Sequence, residues 1–345
     1  MFASQYGPAM DLRTHIKTPE QIERFKAIIA STDFMYQPFV LSDDLEVGGG
    51  YEFVFNRIGA GFVHWANGGP PPNAPIRDRL ISPDILSDFR IANIALRAQY
   101  DGWCDSIARQ AEASGAQSVC DFGCFNGYIP VGLALRGIKR AVGYDQDDRG
   151  ACIAALNEVL GTNAEFHQIG YNLETGVIAG EQFDIVSCMS VLQHIPEPLR
   201  FINMLAAMTK QTLYLMTNVW DDDDLVVRYG EPNTVWGHRF PWCFDNSCYL
   251  SKKMLLRALE LAGFSCTEVS FDMPQWVFER VAEFNSQQAQ QAQQAQPVAA
   301  SLPEQTEVEP EQTKLAGGKL SGITLICQRV GPPVDMARPH KLVRA

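Results

Sequence analysis

Two hydrophobic periods share this chain, and their order along it predicts its elements. Short apolar runs recur at Val119–Phe122, Val142–Tyr144, Phe183–Cys188, Gln211–Met216, Ser265–Ser270 and Gly322–Gln328. Runs of that length read as buried strands. Between them lie stretches of helical period, among them one opened by Pro198 and running through Leu205, and one from Ser251 to Ala262. Strands alternating with helices predict an α/β fold.

The first hundred residues are patterned differently. Thr18-Pro19-Glu20-Gln21 supplies an N-cap, a proline at the first helical position and a box-closing glutamine, so a helix is expected to about Ala30. Phe34, Tyr36, Phe39, Tyr51, Phe53 and Phe55 then alternate with polar residues around Gly48-Gly49-Gly50. That pattern predicts a β-hairpin, either a satellite core or the roof of a substrate pocket. After the Gly/Pro-rich stretch Asn67–Pro75, Ser82-Pro83-Asp84 starts a second helix. Its apolar positions Ile91, Ile94, Ala98, Trp103 and Ile107 would pack on the sheet.

The strongest chemical signal is Val119-Cys120-Asp121-Phe122-Gly123-Cys124-Phe125-Asn126-Gly127-Tyr128, followed by Val142-Gly143-Tyr144-Asp145. An apolar strand that ends in an acid and opens through glycines into a helix lets backbone approach a ligand closely. A second strand ending in Asp145 sets a carboxylate beside that turn, where it can accept hydrogen bonds from both hydroxyls of a ribose. A dinucleotide fold requires G-x-G-x-x-G so that a pyrophosphate can sit on the helix N-terminus. Here Phe125 stands where the middle glycine would be, and the loop is preceded by an acid. Such a turn suits a cofactor without phosphates that carries a positive ammonium.

These residues resemble motif I of the class I S-adenosylmethionine-dependent methyltransferases. The resemblance spans about Gln117 to Phe271 plus the strand near the C-terminus. It implies a doubly wound, seven-stranded, Rossmann-like sheet with helices on both faces, here with an N-terminal cap, and S-adenosyl-L-methionine as cofactor. It further implies that Asp121, Gly123, Cys124, Phe125, Asn126, Gly127 and Tyr128 wrap the methionine moiety. Asp145 would hold the ribose, with Gln146, Gly170, Tyr171 and Met189 completing the cofactor site. Met189-Ser190-Val191-Leu192-Gln193-His194 looks like the family's fourth strand running into its apolar turn and histidine. Within the superfamily, the aromatic N-terminal region, the Val191–His194 turn and the Trp236 loop are similar to the tRNA wobble-uridine (carboxy)methyltransferase-like group.

Charge then narrows the acceptor. The formal net charge is −12, and the basic residues are scattered apart from Arg338–Arg344 in a Pro-containing tail. Nucleic-acid binding draws most of its affinity from phosphate neutralisation by a basic patch. A small-molecule or sugar-like acceptor is therefore expected over a tRNA. The tRNA reading would need a groove built from residues such as Arg57, Arg77, Arg79, Lys139 and Arg140. A third reading is a catalytically idle protein that keeps the cofactor turn but has its pocket plugged. The nine cysteines form no C-x-x-C pair, and no run reaches the ~18 apolar residues of a spanning helix, so the expectation is a cytoplasmic enzyme with buried thiols and no metal site. Asp221-Asp222-Asp223-Asp224 reads as a solvated turn, because adjacent carboxylates cannot all face one ion.

Two histidines are candidate bases for a hydroxyl acceptor: His194 after the fourth strand, and His238 in Val235–Trp242, where Trp236 and Trp242 could stack on the substrate. The expected organisation is an N-terminal helical and hairpin cap over residues 1–95, and a methyltransferase domain over 96–284 and 315–332. An insertion rich in Gln, Ala, Pro and Glu over 285–314 cannot bury a core and should be disordered, and 333–345 form a flexible tail. The predicted activity is O-methylation.

Overall fold

The inner strands of the central sheet are buried with apolar residues on both faces, which is what covering a parallel sheet on two sides demands. The computed structural model describes residues 10–31, 37–42, 45–47, 83–169, 181–195, 197–232, 246–270 and 320–331. In chain order the elements are α1 (Pro19–Ser31), β1 (Phe39–Ser42), β2 (Leu45–Val47), α2 (Pro83–Ser114), β3 (Ser118–Phe122) and α3 (Tyr128–Leu135). Then come β4 (Arg140–Asp145), α4 (Gly150–Leu160), β5 (Glu165–Gln168), β6 (Phe183–Met189) and a 3₁₀ turn (Leu192–His194). The chain continues through α5 (Pro198–Met208), β7 (Thr209–Trp220), β8 (Val227–Pro232), β9 (Asn246–Leu250), α6 (Lys252–Leu261), β10 (Phe264–Glu268) and β11 (Leu320–Arg329).

Among the described residues, seven strands form one sheet in the order β10-β11-β7-β6-β3-β4-β5. Strand β11 is antiparallel to both its neighbours, while β3, β4, β5, β6 and β7 pair in parallel. The chain steps outward from β3 to β5 and then returns to the other side of β3 at β6. That reversal opens a crevice at the carboxyl ends of β3 and β6, where open α/β sheets bind ligands. The doubly wound seven-stranded sheet expected from the motif is therefore present.

Strand alternation divides the core into two layers. Cys120, Phe122, Val142, Tyr144, Val186, Cys188, Leu213 and Leu215 face one side, with Phe201, Leu205, Leu255 and Leu259 of α5 and α6. Val119, Ala141, Ile185 and Tyr214 face the other, with Trp103 and Ile107 of α2 and Ile129 and Leu133 of α3. Helix α2 is tied to the end of α3 by buried Arg136, whose Nε donates to Asp105 Oδ1 at 2.6 Å and whose Nη2 donates to Asp101 Oδ1 at 3.4 Å. The helix runs without interruption through residue 95, so the expected cap boundary falls inside one element.

One local expectation needs correction. Strands β1 and β2 pair antiparallel with Phe39 opposite Val47, so both precede Gly48–Gly50, the expected joint between the strands, which lies outside the described residues. The hairpin's described side chains form core, since Phe39 and Leu41 pack with Phe25, Cys124, Tyr128, Val131 and Ile153. Tyr51, Phe53 and Phe55 lie outside the described residues. The stretch after β7 contains an antiparallel pair that the sequence pattern does not announce, β8–β9, with Val227 opposite Leu250. The helix signals of Thr18–Gln21 do materialise, with the Lys17 and Thr18 N–H groups both donating to Gln21 Oε1. The 285–314 insertion and the 333–345 tail lie outside the described residues. No helix among the described residues is long and apolar enough to cross a membrane.

Candidate active site

The segment between β3 and α3 is built from backbone in the left-handed region. Gly123 has φ 77°, Phe125 φ 49° and Gly127 φ 87°. Two of the three are glycines, as that conformation favours. Phe125 holds it with a side chain because buried Arg149 lies over its ring, the guanidinium carbon 4.3 Å from the centroid. Arg149 also donates to Asn126 Oδ1 at 3.4 Å and to Asp147 Oδ2 at 3.0 Å, which links the turn to the end of β4.

The destinations of the turn's N–H groups identify what it can hold. Gly123 N and Cys124 N both donate to the Tyr144 carbonyl at 2.8 and 3.0 Å. Phe125 N donates to Asp145 Oδ2 at 2.8 Å, Gly127 N to the Cys124 carbonyl at 2.9 Å, and Tyr128 N to Gln37 Oε1 at 3.1 Å. These donors, which in a dinucleotide fold would meet a pyrophosphate, are already used within the protein. In place of an anion cradle the turn presents two carboxylates.

Asp145 accepts from Phe125 N on one oxygen and from Asp147 N, at 3.0 Å, on the other. A carboxylate has about four acceptor positions, so two remain for a pair of vicinal hydroxyls. Asp121 sits at the end of β3, opposite Ser187 of β6 in register, and Ser187 Oγ donates to its Oδ1. Burial pushes the Asp121 carboxyl up to about 7 despite that hydrogen bond, and the nearby charge of Asp145 adds to the rise. Burial raises Asp145 as well, against its two backbone donors and Arg149. A phosphate-free cofactor carrying a ribose diol and a cationic amino-acid end fits these donors and acceptors, and S-adenosylmethionine is such a molecule. Asp145 would hold the ribose and Asp121 would face the ammonium.

The raised Asp121 carboxyl gives a pH dependence with a definite sign. Below pH 7 the group is protonated and its attraction for an ammonium is lost, so affinity for S-adenosylhomocysteine is expected to fall as pH drops from 8 to 6, with proton release on binding near pH 7. Without ligand the sign is opposite. A folded carboxyl raised above its unfolded value of 3.8 contributes stability below that value, and this is lost as pH rises through 7. Calorimetry in buffers of different ionisation enthalpy measures the released proton. Affinity that is flat across this range would remove Asp121 from the ammonium site.

Other expected site residues contribute less than their side chains suggest. Cys124 is buried against Gly143, whose added Cβ would come 2.7 Å from the Cys124 sulfur. Tyr128 is buried, with its hydroxyl on the Arg97 carbonyl, and Asn126 is buried beside Arg149. These three shape the turn through backbone while their side chains face inward. Met189 joins the apolar layer with Trp103 and Ile185, and half-buried Gln146 offers its carbonyl to Gln168 at 3.0 Å. Gly170, Tyr171, Trp236, His238 and Trp242 lie outside the described residues.

His194 ends the 3₁₀ turn after β6, and burial pushes it down to about 4. Sequence reasoning missed Ser187, Arg149, Gln37 and Val191. Val191 packs so closely on Gly123 that an added Cβ there would collide with its Cγ2, and Gln37 Nε2 also donates to the Cys124 carbonyl at 3.1 Å. Only Ser187 carried a readable signal, a lone hydroxyl within an apolar strand. The tetra-aspartate forms a turn in which Asp222 accepts from Arg228 Nη2 at 2.9 Å and from Asp224 N at 3.0 Å. No three His, Cys, Asp or Glu side chains among the described residues are grouped to hold a metal.

Comparison with known proteins agrees with this geometry. A family model described as a methyltransferase domain matches residues 95–269, just over half of the chain. The ubiquinone biosynthesis O-methyltransferase of Pseudomonas syringae pv. tomato is 31% identical over 109 residues, covering 31% of this chain and 44% of that relative. The Pseudomonas fluorescens protein of the same name is 32% identical over 109 residues, again 31% of this chain and 44% of the relative. The chain thus spans less than half the length of these curated relatives.

Among solved structures, the N-terminal domain of EvdMO1 with SAH bound has 16% identity and a TM-score of 0.43, over 66% of this chain and 81% of that one. Magnesium protoporphyrin IX methyltransferase (ChlM) from Synechocystis PCC 6803 with bound SAH has 17% identity and a TM-score of 0.39, over 80% and 97%. With the family match spanning the doubly acidic turn, the chain belongs to the methyltransferase-domain family.

Proposed function

We propose that the chain methylates an oxygen of a small-molecule acceptor. The observation that carries this reading is the 109-residue match to proteins named ubiquinone biosynthesis O-methyltransferases. When bound, the cofactor supplies an electrophilic methyl group on a sulfonium. The protein's part is to orient it, through Asp145 on the ribose and Asp121 on the ammonium, and to remove the acceptor's proton.

His194 is our candidate for that proton. Its turn lies at the carboxyl end of β6 and packs against β7 and β9. With its proton affinity lowered to about 4, the imidazole is neutral at pH 7, the state a base requires. So weak a base suits a hydroxyl that ionises readily, such as a phenol, better than an aliphatic sugar alcohol. His238, flanked by Trp236 and Trp242, keeps its place as the alternative base.

The tRNA reading receives less support. Lys139 and Arg140 lie at the amino end of β4, the opposite end from Asp145, and Arg140 is paired with Glu165 and Glu181. Arg57, Arg77 and Arg79 lie outside the described residues. Transfer of labelled methyl from S-adenosylmethionine to a panel of phenols, sugars and bulk tRNA separates the acceptor classes. A phenol-type hydroxyl is expected to be labelled, and His194→Ala to lower its turnover by roughly 10²-fold or more with cofactor affinity nearly unchanged. Labelling confined to tRNA, or full turnover by the variant, would overturn the reading or the base assignment respectively.

A further inference from the structure

Two cysteines stand directly opposite each other where the long insertion joins the sheet. Cys266 of β10 is the register partner of Cys327 of β11. The neighbouring ladder bonds run from Val330 N to the Gly263 carbonyl and from Val269 N to the Thr324 carbonyl, each 2.9 Å. In an antiparallel pair, hydrogen-bonded and non-hydrogen-bonded positions alternate, so these bonds place Cys266 and Cys327 at a non-hydrogen-bonded position. Opposed Cα atoms there are about 4.5 Å apart, within the span of roughly 4.4–6.8 Å that a disulfide bridges. Opposed residues also share a face, and both thiols belong to the layer covered by α5 and α6, within hydrogen-bonding reach of each other. Cys327 is fully buried and Cys266 is half-buried, so an oxidant reaches the pair from the Cys266 side.

We propose that Cys266 and Cys327 are a disulfide-forming site, closed by a two-electron thiol oxidant of the hydroperoxide class, that clamps the two roots of the insertion between β10 and β11. The Cys266 thiolate attacks a peroxide oxygen and breaks the O–O bond, giving a sulfenic acid and hydroxide. The Cys327 thiol then attacks that sulfur, forming the S–S bond and giving its proton to the departing hydroxyl, which leaves as water, while the proton lost on ionising Cys266 neutralises the hydroxide. Overall two thiols and one hydrogen peroxide give one disulfide and two waters. Cys266 is the thiol that solvent reaches while Cys327 is enclosed, which assigns Cys266 the attacking and Cys327 the resolving role, and the contact between them favours the Cys266 thiolate. The covalent clamp closes a loop of roughly 60 residues, a constraint felt mainly by the unfolded chain.

The test uses the full-length protein, treated with hydrogen peroxide, alkylated under denaturing conditions and digested. The expected result is a Cys266–Cys327 cross-linked peptide, an intact mass lower by about 2 Da, and a melting temperature raised by about 5 °C or more that reverts with dithiothreitol. Cys266→Ser should abolish all three while the untreated variant melts near the untreated wild type. Sulfinic acid on Cys266 with Cys327 still alkylatable, or a cross-link of either residue to a different cysteine, would overturn the proposal.

Discussion

Asp145→Ala is expected to weaken S-adenosylhomocysteine binding a hundredfold or more while leaving the fold in place. Two charge-assisted hydrogen bonds to the ribose disappear, together worth about 3 kcal/mol. The same carboxylate also holds the N–H groups of Phe125 and Asp147, so its removal loosens the turn as well as the ligand. The fold should survive because a buried carboxylate raised by desolvation contributes little net stability. Titration calorimetry on the variant, paired with a thermal melt, separates the two effects. An unchanged affinity would show that the ribose is held elsewhere.

Gly127→Ala is expected to be strongly destabilising. At φ 87° an alanine pays about 1–2 kcal/mol in backbone strain. Its Cβ would collide with Ile153 Cγ1 and lie 2.9 Å from Cδ1, and Ile153, 2% exposed on α4, has little room to move. Overpacking of this kind adds about 1–3 kcal/mol, for a melting point lowered by roughly 5–15 °C. Adding Ile153→Ala removes the colliding atoms, so the double variant should be less destabilised than the sum of the two singles. A single variant melting within a degree or two of wild type would contradict the close approach of α3 and α4 at this glycine.

Much of this was legible in the sequence because its signals are local. The strand-acid-glycine run of Val119–Gly127 and the acid ending Val142–Asp145 determine the turn by short-range backbone demands, and the α/β class follows from the alternation of strands and helices, while the doubly wound sheet comes from the resemblance to the methyltransferases. What stayed hidden depends on contacts distant along the chain. Gln37 brackets the turn from 87 residues upstream of Cys124, and nothing around it marks the role. The β8–β9 pair was obscured because Val227–Pro232 carries polar residues that mask its period. Motif position places Cys124, Asn126 and Tyr128 in the cofactor turn, while the inward direction of their side chains, set by packing against Gly143, Arg149 and the Arg97 carbonyl, is not encoded locally. The weak basicity of His194 is likewise a product of burial, which no local pattern encodes.

A turn whose N–H groups are spent internally and which carries Asp121 and Asp145 is suited to a cationic, ribose-bearing ligand rather than a pyrophosphate. Titration calorimetry of the purified wild-type chain at pH 8, with S-adenosylhomocysteine and NAD⁺ in parallel, tests that most directly. One-to-one binding of S-adenosylhomocysteine in the micromolar range with no heat from NAD⁺ is the predicted result. Binding of the dinucleotide with none of the S-adenosyl ligand would contradict it.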